Sequence, residues 1–364
     1  MPEKVTTTTP RILVLNDNIV HRDEVKKVLS RLYEVNLFDD DNVALDAMHA
    51  NSPDIVVVDE HMLSDGSSHF LDEKRKSENL NSVPYIIIGK GGVAEKPDAI
   101  GGDGPAAYLK KPFTENNLLN QVASSMSHKV EDEWTSLPPV QRSTLQNTVK
   151  EFQGISEAID KGEPLDIESA HESCEPLVES INNNQYQGIL DSVKGHHNYT
   201  YVHSLRVATY LSIFGHAIGM RDDELLTLAT GGLLHDVGKM VTPQGLLNKP
   251  SRLEDDEWKV MKGHVEHSKE ILDRTPGVNR GIKIIAEQHH EKLDGTGYPL
   301  GLKDKQLNDL ARMSAIVDIF GALTDVRSYK AAFPPEKAFA ILEEMESGLD
   351  QSLVKKFRKV FEST

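Results

Sequence analysis

Histidines and aspartates in the C-terminal half of the sequence are the residues best suited to chemistry. His235 and Asp236 are adjacent in the segment 233–239, LLHDVGK. Four more histidines and one more aspartate occur where helices could bring them to this pair: His203, His264, His289, His290 and Asp318. Imidazole and carboxylate groups together favour Fe or Mn, with Ni, Co or Zn as further candidates, over Mg²⁺ or Ca²⁺. The pattern therefore predicts a transition-metal site.

Five histidines and two aspartates exceed the four ligands of a tetrahedral zinc site. They suit two octahedral ions that share Asp236. Two ions about 3.5 to 4 Å apart can hold a bridging hydroxide and can stabilise a phosphoryl group under in-line attack. The predicted chemistry is therefore attack of a metal-bridging hydroxide on phosphorus.

Apolar residues at helical spacing predict the helices that carry these side chains. Asp222 is a suitable N-cap for the helix that ends in the His-Asp pair, and Asp318 interrupts another strongly apolar helix. An ionised aspartate buried in such a helix is costly unless a cation compensates its charge. A further predicted helix buries Trp258 on its apolar side and carries His264 at the edge of that side.

Two segments resemble the HD-GYP subgroup of the HD phosphohydrolase superfamily. They are HDVGK at 235–239 and HEKLDGTGYP at 290–299, and the similarity runs from about residue 150 to the C-terminus. The resemblance implies an all-helical domain that binds two or three metal ions. It also implies hydrolysis of cyclic di-GMP to the linear dinucleotide pGpG or onward to GMP.

The same resemblance implies roles for individual residues. One ion would bind His203, His235, Asp236 and Asp318, and the other would bind Asp236, His264, His289 and His290. The implied catalytic residues are Asp236 and Lys239, and the implied substrate-binding residues are Lys239, Gly297, Tyr298, Arg327 and Lys330. Some relatives bind a third ion through a glutamate at the position of Tyr199, so the tyrosine favours two ions.

The N-terminal part of the sequence has a different pattern. Continuous apolar runs at 11–15, 53–59 and 83–88 alternate with helical segments. Such runs suit strands buried on both faces of a parallel sheet, so a doubly wound α/β domain is predicted. Asp17 and Asp59 fall just past strand ends, where open α/β sheets place their sites.

This region resembles a response-regulator receiver domain over its whole length. The resemblance implies that Asp59 is the phosphoacceptor, Asp17 a ligand of Mg²⁺ and Lys111 the partner of the phosphoryl group, with a histidine kinase as donor. Asn16 replaces one acid of the usual pair, which weakens a hard-cation site. Gly89 replaces the hydroxyl residue that couples phosphate to loop movement. A phosphorylation switch stays open, as does a fold kept for dimerisation or for docking onto a partner such as a diguanylate cyclase.

Length and periodicity predict the domain organisation. The 364 residues suit two domains. We predict a receiver-like domain at 11–126, a helical linker at 127–150 and an HD-GYP domain at 151–364. An apolar stripe along residues 145–159 is either a core face or the seam of a homodimer.

Composition excludes several classes of protein. A net charge of −17 argues against nonspecific nucleic-acid binding, which needs a basic surface. No apolar run approaches the ~20 residues that span a bilayer, and the first residues lack an apolar signal core. Cys174 is the only cysteine, so an intrachain disulfide is impossible. These features predict a cytoplasmic protein that binds neither DNA nor membrane.

The predicted function is hydrolysis of cyclic di-GMP in a signalling protein with a receiver-like regulatory domain. Two alternatives use the same site. One is an HD-type hydrolase acting on another nucleotide, such as cyclic GMP-AMP. The other is a noncatalytic sensor or scaffold that binds the dinucleotide, although the complete ligand set argues against an inactive site.

Overall fold

The structure, a computed structural model, describes residues 9–63, 69–91, 106–247, 249, 251–325 and 332–362. The predicted substrate contacts Arg327 and Lys330 lie outside the described residues. The chain divides into two compact units, and the division falls between Lys129 and Val130. The predicted domain limits at 126 and 150 stay predictions.

The N-terminal unit is built on a parallel five-stranded sheet. Its strands are β1 (Arg11–Leu15), β2 (Glu34–Phe38), β3 (Ile55–Asp59), β4 (Tyr85–Gly89) and β5 (Ala106–Lys110), in the order β2-β1-β3-β4-β5. The described helices of this unit are α1 (Ile19–Leu29), α2 (Asp41–Ala50) and α3 (His69–Lys76), and α4 (Glu115–Glu133) runs through the division.

Alternating side chains of the central strands face two separate cores. Leu13 and Val56 pack with residues of α2 and α3 on one face of the sheet. Ile12 and Ile55 pack with residues of α1 and α4 on the other face. The central strands β1, β3 and β4 are therefore buried on both sides, which explains their apolar runs. The predicted doubly wound α/β domain is confirmed.

The C-terminal unit is helical in its described residues. Its helices are α5 (Pro139–Lys161), α6 (Ile167–Asn182), α7 (Gln187–Ser192), α8 (Tyr199–Ala217), α9 (Asp223–Leu234), α10 (Gln244–Leu247), α11 (Asp255–Lys262), α12 (His264–Arg274), α13 (Arg280–Gln288), α14 (Asp309–Thr324), α15 (Pro335–Glu344) and α16 (Gln351–Glu362). A short 3-10 helix, Val237–Val241, follows α9. The predicted all-helical second domain is confirmed.

Helix α8 lies at the centre of this unit. Every residue from 201 to 215 is buried, and the helix packs against α9 and α14. A helix that is apolar on nearly all sides must be enclosed by others, and the few polar side chains it buries need partners. His203 and Arg206 are two of these buried polar residues. Among the described helices, none is long and apolar enough to cross a membrane.

Three local predictions are wrong. Asp222 takes the cap position before α9, but its backbone has a φ of 44° and its side chain makes no capping hydrogen bond. A capping side chain reaches its donor from extended backbone, which this residue lacks. The helix predicted around His264 is broken at Gly263 into α11 and α12. Trp258, predicted to be buried, is 46% exposed.

Candidate metal centre

One group of predicted ligands surrounds one oxygen of Asp236. Asp236 Oδ2 lies 3.2 Å from His235 Nε2 and 3.6 Å from His203 Nε2. Asp318 Oδ1 lies 3.0 Å from His203 Nε2 and 3.7 Å from His235 Nε2. All four residues are at most 5% exposed. Helices α8, α9 and α14 thus bring these four side chains to one buried point.

A second group surrounds the other oxygen of Asp236. Asp236 Oδ1 lies 3.2 Å from His264 Nε2 and 3.7 Å from His289 Nε2. His264 Nε2 and His289 Nε2 are 3.4 Å apart. His290 Nδ1 lies 3.5 Å from Asp318 Oδ2. The buried carboxylate of Asp236 therefore presents one oxygen to each group of histidines. Asp318 also reaches both groups, because its Oδ1 lies near His203 and its Oδ2 near His290.

The local backbone explains how these side chains reach the centre. Helix α9 ends at Leu234, and His235 is its C-cap, so the His-Asp pair leaves the helix at its end. Likewise α13 ends before His289, which is the C-cap of that helix. Within a helix, adjacent side chains point about 100° apart, but at a helix end the backbone can leave the helical path. Neighbours such as His289 and His290 can therefore point to the same centre.

The close packing of this turn depends on Gly238. A Cβ at this position would lie 2.0 Å from the carbonyl oxygen of His264 and 2.5 Å from the amide nitrogen of Ser268. Both atoms belong to the backbone of α12, so neither can move aside cheaply. The amide of Gly238 donates to Ser268 Oγ at 2.9 Å. Glycine thus allows the segment after Asp236 to press against the helix that begins with His264.

The free nitrogens of the histidines fit a bound cation. The Nδ1 atoms of His235, His264 and His289 each lie 2.7 to 2.9 Å from a backbone carbonyl oxygen three residues earlier. A protonated Nδ1 leaves the lone pair of Nε2 for a metal ion, which is the usual arrangement of ligating histidines. His235 Nε2 and Asp236 Oδ1 are buried, yet neither makes a hydrogen bond. These residues therefore fit divalent ions.

The pKa values reflect mutual compensation of buried charges. Burial alone would lower the pKa of His235, but the charge of Asp236 outweighs it and raises the pKa to about 9. Burial opposes ionisation of Asp236, yet the charges of His235 and Lys239 hold its pKa well below the usual range. Burial lowers the pKa of His290 to about 3. The centre thus holds ionised carboxylates whose charge a cation must balance, and a divalent ion would displace the proton from His235 Nε2 to do so.

Lys239 and Tyr298 lie beside this centre. Lys239 Nζ contacts Asp236 Oδ2 directly. Lys239 follows Asp236 by three residues, and the 3-10 turn after α9 brings side chains at this spacing to the same side. The Tyr298 ring stacks on His290, with centroids 4.7 Å apart. Both predicted substrate contacts therefore border the predicted ligands.

Sequence reasoning missed Asp325 and Arg206. Asp325 Oδ2 lies 2.8 Å from His203 Nδ1, and Asp325 Oδ1 lies 2.5 Å from Arg206 Nε. A carboxylate behind a ligating histidine fixes the orientation of its ring. A signal was present, because Asp325 follows Asp318 by seven residues, close to two helical turns, although the helix itself ends at Thr324.

Glu291, also missed, anchors the loop after Tyr298. Its carboxylate is buried and accepts hydrogen bonds from the amides of Leu300, Gly301 and Leu302 at 2.7, 3.2 and 2.9 Å. Gly297 belongs to the same loop, and a Cβ there would lie 2.4 to 2.6 Å from backbone atoms of residues 291 and 292. The glycine therefore supports the close approach of this loop, which explains its place in the motif.

We predict that Glu291→Ala loosens this loop. Three backbone donors would lose a charged acceptor, so the free energy of unfolding should fall by about 2 kcal/mol or more. Denaturant unfolding measures this change. Glu291→Gln keeps one acceptor oxygen and should lose less, whereas Glu270→Ala, at an exposed position, should change little. Equal stability of Glu291→Ala and the parent would contradict the anchoring role.

The receiver-like unit places two of its three predicted site residues together. Lys111 Nζ lies 2.6 Å from Asp59 Oδ2, and Asn16 Nδ2 donates to the same oxygen at 3.1 Å. Asp59 is 9% exposed. Asp17, the predicted Mg²⁺ ligand, is exposed. The arrangement is that of a pocket at the carboxyl ends of parallel strands, with an amide where a second acid is expected.

A second departure surrounds Gly89. A Cβ at this position would lie 2.0 Å from Glu60 Oε2 and 2.5 Å from the Tyr108 hydroxyl. Glu60 Oε2 accepts hydrogen bonds from the Lys90 amide at 3.0 Å and from the Tyr108 hydroxyl at 3.2 Å. The space of the missing hydroxyl residue is thus filled by a carboxylate and a phenol.

Comparison with known proteins places the C-terminal unit in a family. Residues 187–353 match the HD domain family. The chain carries an HD domain. The matched segment begins with α7 and ends within α16, so it contains the seven predicted ligands.

Curated relatives of this chain have related activities in their names. The chain is 38% identical over 146 residues to 3'3'-cGAMP-specific phosphodiesterase 3 of Vibrio cholerae, covering 40% of this chain and 32% of that protein. It is 26% identical over 337 residues to the cyclic di-GMP phosphodiesterase response regulator RpfG of Xanthomonas campestris, covering 91% and 82%. The chain spans about a third of the length of the first curated relatives that it matches.

A solved structure shows the same fold. An HDG"Y"P protein from Bdellovibrio bacteriovorus superimposes with a TM-score of 0.51 at 17% identity, over 69% of this chain and 81% of that protein. The HD domain match and the match to RpfG over most of the chain support the HD-GYP group. The predicted combination of a receiver-like domain and an HD-GYP domain is confirmed.

Proposed function

We propose that this protein is a metal-dependent phosphodiesterase that hydrolyses cyclic di-GMP. The observation that carries the proposal is the shared carboxylate of Asp236, which has one oxygen facing each histidine group. Such an arrangement suits two ions held close together. Two divalent ions in this position would supply an activated water at neutral pH and would stabilise charge on a phosphoryl group.

The chain's own side chains bind and orient the substrate. Lys239, next to Asp236, offers a fixed cation for a phosphate oxygen. Burial raises the pKa of Tyr298, so its hydroxyl stays protonated and can donate a hydrogen bond to a second phosphate oxygen. This hydroxyl makes no hydrogen bond within the described part of the chain. The loop held by Glu291 fixes the position of Tyr298 relative to the predicted ligands.

The names of the relatives support the substrate class. The relatives named above act on cyclic dinucleotides by their names. We propose cyclic di-GMP because RpfG matches along most of this chain, and we keep 3'3'-cyclic GMP-AMP as second candidate because the more similar relative is named for it. In both cases a water-derived oxygen adds to phosphorus and a ribose 3'-oxygen leaves.

A substrate panel tests this proposal. Protein loaded with Mn or Fe should convert cyclic di-GMP to pGpG or GMP in a timed product assay. Preference for cyclic GMP-AMP would transfer the assignment to the second candidate. Tight binding with no product from any cyclic dinucleotide would replace the enzyme with a sensor or scaffold.

We predict that the receiver-like domain is poorly phosphorylated. Asn16 replaces a carboxylate that would bind Mg²⁺, and Glu60 fills the space of the missing hydroxyl residue. Both changes disfavour a stable acyl phosphate. Incubation with a small phosphodonor and Mg²⁺ should therefore label the protein weakly or not at all. Strong labelling that Asp59→Asn abolishes would instead show a phosphorylation switch and make a histidine kinase the expected partner.

If the receiver-like domain is not phosphorylated, its role is association with another protein. We propose that this domain serves dimerisation or docking, with a second copy of the chain or a diguanylate cyclase as the partner. Sedimentation or light scattering of the full chain tests the homodimer directly.

A further inference from the structure

An exposed tryptophan lies close to the candidate metal centre. Trp258 is 46% exposed, and α11, which carries it, has no buried residue. The amphipathic pattern around it predicts burial, so the exposure is not a simple consequence of a polar sequence. Tryptophan offers a large, rigid and apolar surface with one hydrogen-bond donor, which suits recognition of flat ligands.

Aromatic contacts connect Trp258 to the predicted ligands. Its ring centroid is 6.5 Å from that of Tyr298, with an angle of 75° between the planes. Tyr298 in turn stacks on His290 at 4.7 Å and 29°. The three rings therefore form a continuous series from the metal centre to the protein surface. Two nearly perpendicular rings form a corner that can enclose a third flat ring.

A cation lies at the same corner. Lys262 Nζ is 5.6 Å from the centroid of the Tyr298 ring. Lys262 follows Trp258 by four residues, so one helical turn of α11 places both on one side. Within the described residues, Lys262 has no carboxylate partner. Its ammonium group is therefore available to a ligand.

We infer that Trp258, Tyr298 and Lys262 bind one nucleobase of the substrate beside the phosphodiester that is cleaved. This inference rests on the proposed function and names a binding subsite for it. The base stacks on the exposed face of Trp258, and Tyr298 closes one side of the corner. Lys262 donates to acceptors on the edge of the base, and guanine presents two of them, O6 and N7. A ligand of this kind extends from the metal centre outward, because each base lies one sugar away from a phosphate.

Fluorescence tests the contact without turnover. The chain has two tryptophans, and the other, Trp134, is 1% exposed, so direct contact with a ligand is open to Trp258 and not to Trp134. A hydrolysis-resistant phosphorothioate analogue of cyclic di-GMP should quench the wild-type protein and should not quench Trp258→Phe. Ribose 5-phosphate, which has no base, should not quench either protein. Equal quenching of both proteins, or of neither, would overturn the subsite.

Kinetics provide the second test. Trp258→Ala should raise the KM for cyclic di-GMP on the order of 10- to 100-fold, because loss of stacking weakens base binding. The kcat should change much less, since the reacting phosphorus lies elsewhere. Trp258→Phe should restore most of the affinity, and Val260→Ala, 51% exposed on the same helix, should behave like the parent.

The outcomes separate this subsite from the proposed function. Normal hydrolysis by the parent with an unchanged KM in Trp258→Ala would remove the subsite and leave the phosphodiesterase intact. No hydrolysis of any cyclic dinucleotide by the parent would remove the phosphodiesterase, whereas quenching by the analogue would then still support the subsite. Because Trp258 is exposed, its variants should unfold at the parent's midpoint, and a lower midpoint for Trp258→Ala would mean that the ring serves the fold.

Discussion

Asp236→Ala should reduce hydrolysis of cyclic di-GMP by about 10³-fold or more, or about 4 kcal/mol of transition-state stabilisation. Asp236 presents one carboxylate oxygen to each histidine group, at 3.2 Å from His235 Nε2 and 3.2 Å from His264 Nε2. Its loss removes a ligand from each proposed ion at once. The same variant should therefore lose bound metal as well as activity, and elemental analysis with a product assay measures both.

Matched variants separate ligation from folding. Asp236→Asn keeps the shape of the side chain but removes the charge that balances His235 and Lys239, so it should also lose metal. Asp191→Ala, which removes an exposed ion pair with Lys194, should retain both metal and activity. If Asp236→Ala retained parental turnover with its fold intact, the proposed centre would be wrong.

The second large effect is expected at Asp325. Asp325→Ala removes the acceptor of His203 Nδ1 and leaves the buried guanidinium of Arg206 without its carboxylate. Removing one partner of a buried ion pair costs about 3 to 5 kcal/mol of folding free energy. Removing a carboxylate behind a ligating histidine costs on the order of 10- to 100-fold in metal affinity or activity. Both losses should appear together, in denaturant unfolding and in metal titration.

A double variant distinguishes the two causes. Arg206→Met combined with Asp325→Leu removes both buried charges, so most of the folding free energy should return. The orientation of the His203 ring should not return, because no acceptor faces its Nδ1. Recovery of stability without recovery of metal affinity is the expected result. Full recovery of both would mean that Asp325 serves the fold alone.

The sequence revealed much of the fold because burial leaves a clear pattern. Runs such as 55–59 are apolar on both faces of the sheet, and α8 is buried along nearly its whole length. The polar residues inside these elements were therefore conspicuous. Asp318 and His203 could be singled out because an unpaired polar group in an apolar helix needs a partner.

Other features depend on contacts that no local pattern shows. The sequence around Gly263 does not predict the break between α11 and α12. A glycine inside a helix costs only about 1 kcal/mol relative to alanine, so its presence alone does not end a helix. The prediction that Trp258 is buried is wrong because the helical spacing of apolar residues continues through that break. Glu291 was overlooked because its three partners are backbone amides about ten residues ahead. Neither the side chains nor the spacing of those partners carries a signal.

The receiver-like unit also contains contacts that its local sequence pattern does not predict. Asp59 and Lys111 were predictable from strand ends and from the family pattern, and their 2.6 Å contact matches that expectation. The position of the Glu60 carboxylate beside Gly89 could not be predicted from the sequence. It depends on the fold of the segment after β3 and on the Tyr108 hydroxyl from β5.

The metal content of the anaerobically purified protein is the decisive test of the proposed two-ion centre. Elemental analysis should find close to two transition-metal ions per chain, with Fe or Mn predominant, and Asp236→Ala should have far fewer. Parent protein that contains no such metal, and that takes up none on reconstitution, would rule out the two-ion centre.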